Sequence, residues 1–153
     1  MYKMENVKAH CDIPCKVYDP AISIIAVVTI LRLIDLIEEN EQDQISTSRT
    51  VTLSRLASEK EKHAKIVKDE ITVIWGDYFK SPQLESFPET HNLVHSIMQS
   101  ASKCKQEVNR KAAENLLDQV NEFATVFWKT KGIETRLVTA PYPPAPQVVQ
   151  PIL

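Results

Sequence analysis

Apolar positions along the chain fall into four long stretches separated by short polar ones. The first runs from about Pro20 to Asn40. Its residues Ile22, Ile24, Ile25, Val27, Val28, Ile30, Leu31, Leu33, Ile34, Leu36 and Ile37 cover more than one face, which predicts a helix buried by neighbours on several sides, other copies of the chain included. Asp19 before Pro20 reads as a helix start, because an aspartate caps open N–H groups and proline is tolerated in the first turn. After the polar connection EENEQDQ, Ser46 or Ser48 caps a second helix reaching about Trp75, with Leu53, Leu56, Ala64, Val67, Ile71 and Ile74 at spacings of three or four. Its charged middle, SEKEKHAK, is expected at the wet surface.

GDYFKSPQLESFPE, with Pro82 and Pro88, predicts a loop. Leu93, Val94, Ile97, Met98 and Ala101 mark a third helix, and Leu116, Val120, Phe123, Ala124 and Phe127 a fourth from about Asn109 to Lys131, with Gly132 as C-terminal cap. Four amphipathic segments on short connections predict an all-α fold, an up-and-down antiparallel four-helix bundle over residues 20–132. Residues 133–153, which include APYPPAPQVVQPIL, predict an extended or disordered proline-rich tail.

Composition narrows the function. A chain of 153 residues suits one domain, and two glycines are few for a sheet protein rich in turns. A net charge of −2 offers no surplus for gripping a phosphate backbone, so no nucleic-acid partner is expected. The apolar run Ile22 to Leu31 is too short to span a bilayer and ends at Arg32, so no membrane partner is expected either. An odd count of three cysteines, with Cys104 in a lysine-rich context, argues against a secreted disulfide framework and for a cytoplasmic setting, or an organellar one in an alga.

The chemistry gathers in AHCDIPCKVYDPA, Ala9 to Ala21. Cys11 and Cys15 lie four apart beside His10, a spacing unlike the usual zinc pair of pairs. Two thiolates and one imidazole leave further donors to the backbone, and nitrogen and thiolate donors in a plane suit nickel or copper better than tetrahedral zinc. A labile disulfide or two idle thiols are the plainer alternatives for the same spacing.

The whole string says more. His10-Cys11-Asp12-Ile13-Pro14-Cys15 followed by Val17-Tyr18-Asp19-Pro20-Ala21 resembles the N-terminal hook of the nickel superoxide dismutases, His-Cys-x-x-Pro-Cys-x-Val-Tyr-Asp-Pro-Ala. The resemblance continues through Trp75 to Pro82, Pro88 to Val94 and Phe127 to Lys131. It implies a leader, residues 1–9, cut just before His10, and a nickel hook over residues 10–19. One nickel ion per chain would be held by the new α-amine and imidazole of His10, the amide nitrogen and thiolate of Cys11, and the thiolate of Cys15. It further implies superoxide as substrate, a Ni(II)/Ni(III) cycle, a homohexamer, a maturation protease and a nickel chaperone. Tyr18 and Tyr78 match tyrosines that crowd the substrate's approach, and Asp12 helps to shape the hook.

Three positions depart from the family pattern. Lys16 stands where a small glycine is usual. Ala26 occupies the place of a glutamate that orients the axial imidazole, and His63 that of a supporting arginine. Lost orienting partners of metal ligands typically cost about tenfold or more. These departures support an alternative reading, a helical metal-binding or interaction protein that kept the hook but lost efficient dismutation. His91 and His95, four apart on a predicted helix, have no third ligand in sight and read as surface or packing residues.

Overall fold

The computed structural model describes residues 15–41 and 45–153. Helices α1 (Ala21–Glu39), α2 (Thr47–Val73), α3 (Ser81–Ser86), α4 (Thr90–Gln106) and α5 (Arg110–Thr130) are followed by strands β1 (Thr135–Thr139) and β2 (Gln147–Pro151), and one π-helical turn, Ile74–Tyr78, extends α2. The molecule is mostly helical. Local chemistry accounts for the helix ends. Asp19 Oδ1 accepts from the Ala21 N–H at 2.8 Å, Ser46 caps α2 through the Arg49 N–H, and Asn109 caps α5 through the Ala112 N–H. At the end of α5, Gly132 takes a φ of +70°, so its N–H reaches the Lys129 carbonyl and that of Ile133 reaches Trp128. This termination needs a left-handed residue, which glycine supplies at little cost.

Helix α1 packs against α2 and α5, and α4 packs against the same two. Contacts between α2 and α4 run in opposite sense: Lys60 reaches Cys104, Lys68 donates to Ser102 at 2.5 Å, Thr72 meets Met98, and Trp75 meets His91. Arg110 at the start of α5 pairs with Asp35 near the end of α1. Val27, Ile30, Leu31 and Ile34 from α1 share the core with Val67, Ile71, Ile97, Leu116, Val120, Phe123 and Phe127. Removing side chains of this size from water contributes about 2–3 kcal/mol each. Ile22 and Ile25, by contrast, remain 52% and 53% exposed on the outer side of α1. Among the described residues no helix is long and apolar enough to cross a membrane.

Three expectations are corrected. Residues 76–89 are not simply a loop, because the π-helical turn and α3 occupy much of the stretch. The charged middle of α2 is not uniformly wet: Lys60 is only 3% exposed, its ammonium donating to the carbonyls of Cys104, Lys105 and Glu107 where α4 runs out of internal donors. The region after Gly132 is not an extended tail, and the fold is not wholly helical. Strands β1 and β2 pair antiparallel with Leu137 opposite Val149, and Asn121 of α5 closes the outer edge of β2, its Nδ2 donating to the Gln147 carbonyl while its Oδ1 accepts from the Val149 N–H, both at 3.0 Å. Val148 and Val149 are buried.

Candidate metal centre

His10, Cys11 and Asp12 lie outside the described residues. The described part of the hook begins at Cys15, which is exposed. Lys16 follows with a φ of +59°, a left-handed backbone that glycine adopts far more readily than any residue with a β-carbon does. The turn thus keeps a shape suited to glycine although a lysine fills it. Tyr18 is half-buried and Pro20 buried, so the segment leading into α1 is anchored where the helix begins.

Tyr78 comes from the π-helical turn at the end of α2, a kind of bulge often found at functional sites. Its ring centroid lies 5.8 Å from that of Tyr18, 4.8 Å from Phe127 and 5.4 Å from Phe79. These contacts bring together the root of the hook, the end of α2 and the end of α5. The Lys131 ammonium sits 4.9 Å from the Tyr78 ring centroid and 5.2 Å from that of Phe127, within cation–π range. Tyr78 Oη and Thr130 Oγ1 are 2.6 Å apart, and Thr130 Oγ1 donates to the Phe127 carbonyl at 2.6 Å. Thr130 and Lys131 lie in the segment that resembles the family, but nothing in hydropathy pattern or spacing assigned them a role; only the fold sets them against Tyr78.

Trp75 Nε1 donates to His91 Nδ1 at 3.0 Å, with the two rings edge to face. His91 therefore ties α4 to the π-helical turn, and His95, one turn further on, is exposed. Ala26 is 2% exposed in the core face of α1. His63 is half-buried on α2, with Nδ1 donating to the Glu59 carbonyl at 2.8 Å and the Glu59 carboxylate 3.9 Å away. Burial raises the Cys104 thiol from 9.0 to about 11, so at neutral pH it is a protonated core side chain. Among the described residues no group of three His, Cys, Asp or Glu is placed to hold a metal ion.

On a helical scaffold, the described site joins the exposed Cys15 to the paired rings of Tyr18 and Tyr78. The chain matches the family described as nickel-containing superoxide dismutase over residues 5–131. It is 34% identical over 126 residues to the nickel superoxide dismutases of Streptomyces coelicolor and Streptomyces seoulensis, an overlap of 82% of this chain and 91% of each relative. Solved structures agree: native nickel superoxide dismutase superposes with a TM-score of 0.71 at 31% identity, and a form with nickel ligation of the oxidised state with 0.71 at 32%, each comparison covering 80% of this chain and 99% of the other. The chain belongs to the nickel-containing superoxide dismutase family.

Proposed function

We propose that this chain is a nickel-dependent superoxide dismutase, converting two superoxide anions and two protons into dioxygen and hydrogen peroxide. The observation that carries the reading is the family match over residues 5–131 joined to the wall formed by Tyr18 and Tyr78 at the root of the hook. The donor set suits nickel. His10 would contribute its α-amine and imidazole, Cys11 its amide nitrogen and thiolate, and Cys15 its thiolate, one nickel per chain. Bound there, nickel supplies a one-electron couple able to take an electron from one superoxide and give one to another.

The chain's own residues do the rest. Removal of residues 1–9 creates the α-amine, which an intact Ala9–His10 peptide bond would replace with a far poorer amide donor. The thiols of Cys11 and Cys15 must lose their protons to bind, so metal affinity falls as pH drops. Asp12 would help to shape the hook, the rings of Tyr18 and Tyr78 narrow the approach, and the Lys131 ammonium beside Tyr78 draws a small anion inward.

Finer features belong to the same proposal. The cycle of neighbouring packings among α1, α2, α4 and α5, with opposed contacts between α2 and α4, supports an up-and-down antiparallel four-helix bundle. Exposed Ile22 and Ile25 support burial of α1 against other copies, in a homohexamer. Maturation would require a protease and a nickel chaperone, acting in the cytoplasm or an organelle.

Terminal sequencing, intact mass and elemental analysis of purified protein test the reading together with a superoxide assay. A chain starting at His10, nickel near one per chain and rapid dismutation are expected. Full activity in a chain still starting at Met1 would overturn the ligand set, and a trimmed chain that takes up no nickel under reducing, mildly alkaline conditions would overturn the function.

A further inference from the structure

The hydroxyl pair at Tyr78 has a direction. Thr130 Oγ1 lies 2.6 Å from the Phe127 carbonyl, which can only accept, so the single Thr130 proton is committed there. At 2.6 Å from Tyr78 Oη, Thr130 Oγ1 is left only lone pairs to offer, and the phenol must donate. We propose that Thr130 is a positioning residue that commits the Tyr78 proton to the end of α5, so that Tyr78 offers its surroundings an acceptor oxygen and selects protonated partners, water and hydrogen peroxide, over the superoxide anion.

The chemistry follows from the donor inventory. Superoxide carries no proton to give, and Tyr78 has none left to offer it. Hydrogen peroxide and water both donate, and either completes the Tyr78 oxygen. Attraction for the anion then falls to the neighbouring Lys131 ammonium, 4.9 Å from the same ring. Charge draws the substrate while the phenol oxygen meets the protonated product, and one threonine hydroxyl keeps these tasks on separate residues. The dead end at a backbone carbonyl also means that this chain of hydroxyls relays no proton from solvent. The inference rests on the dismutase reading for the molecules that approach Tyr78, but the hydrogen-bond direction itself does not.

Two measurements test it. Raman difference spectra of the metal-free full chain, wild type against Tyr78→Phe, isolate the Fermi doublet of the Tyr78 phenol, whose intensity ratio reports donation or acceptance. A donating pattern is expected in the wild type, moved by Thr130→Val and restored by Thr130→Ser; a doublet unmoved by Thr130→Val overturns the proposal. On the nickel-loaded protein, azide serves as a small anion unable to donate. Thr130→Val releases the phenol proton, so azide inhibition should tighten about threefold or more, with Thr130→Ser at the wild-type value and Thr130→Val lacking its effect once Tyr78→Phe is also present. Equal azide inhibition in wild type and Thr130→Val overturns the selection even if the doublet moves. Should the loaded wild type fail to dismutate superoxide, the functional reading falls, and the Raman result still decides the direction of the bond.

Discussion

Lys16 shows what a single residue costs. A side chain at a φ of +59° meets its own backbone, a strain of order 1 kcal/mol that glycine would not feel. Lys16→Gly is therefore expected to stabilise the bound form of the hook, read as nickel affinity rising about threefold or more in competition with a chelator. Unchanged affinity would mean that the free and metal-bound forms carry the same strain, and a fall would mean that binding relieves it. Ala26 and His63 carry a second prediction. The double variant Ala26→Glu, His63→Arg should turn over superoxide faster than wild type by restoring orientation to the His10 imidazole, and no gain in kcat counts against it. Because Ala26 is 2% exposed, Ala26→Glu on its own should lower Tm, since a carboxylate without a partner is placed in the core face of α1.

Among elements, two polar side chains hold together what hydrophobic pattern does not. Lys60 closes the end of α4 by donating to three backbone carbonyls, a long-range version of a helix cap. Lys60→Met fills similar volume but leaves those carbonyls without donors, so unfolding free energy in urea should fall by about 2 kcal/mol or more. Asn121 does the same for β2, its amide imitating one residue of a third strand. A two-stranded hairpin is marginal unless something covers it. In Asn121→Ala, hydrogen exchange across residues 135–151 should quicken at least tenfold while amides of α1 and α4 keep their protection; uniform loss throughout would show that hairpin and helices open as one unit.

At the level of the whole molecule, stability should depend on alkaline pH. Burial is the main cause that raises the Cys104 thiol from 9.0 to about 11. The unfolded chain thus loses this proton first, and the stability it contributes is intact below about pH 9 and lost as pH rises to about 11. Lys60 acts in the opposite sense. Burial holds its ammonium below the usual 10.5, which penalises the charged folded form, and that penalty fades as pH climbs towards 10.5. Denaturation of wild type and Cys104→Ala, compared from pH 8 to 11, separates the two: the variant should lack the decline assigned to Cys104, and parallel curves would refute that assignment.

Much of the molecule was written in the order of its residues. The three-and-four spacing of Leu116, Val120, Phe123 and Phe127 specifies the buried stripe of α5, because helical geometry puts residues at those intervals on one side whatever surrounds them. A serine cap at Ser46 or Ser48 and the terminal Gly132 were legible for the same reason, as each serves backbone groups within four residues, and the helix start near Asn109 was legible although its capping role was not. The family was legible in a contiguous string, His10 to Ala21, most of whose proposed ligands lie outside the described residues. Sequence did not disclose that TRLVT and QVVQP pair, since cross-strand pairing joins residues up to 16 apart and proline-rich surroundings masked it. Nor did it disclose that Lys60 is buried or that Thr130 and Lys131 attend Tyr78. Those roles depend on which helix ends meet, and only packing of the whole chain, driven by burial of its apolar faces, decided that the end of α5 would lie beside the last turn of α2.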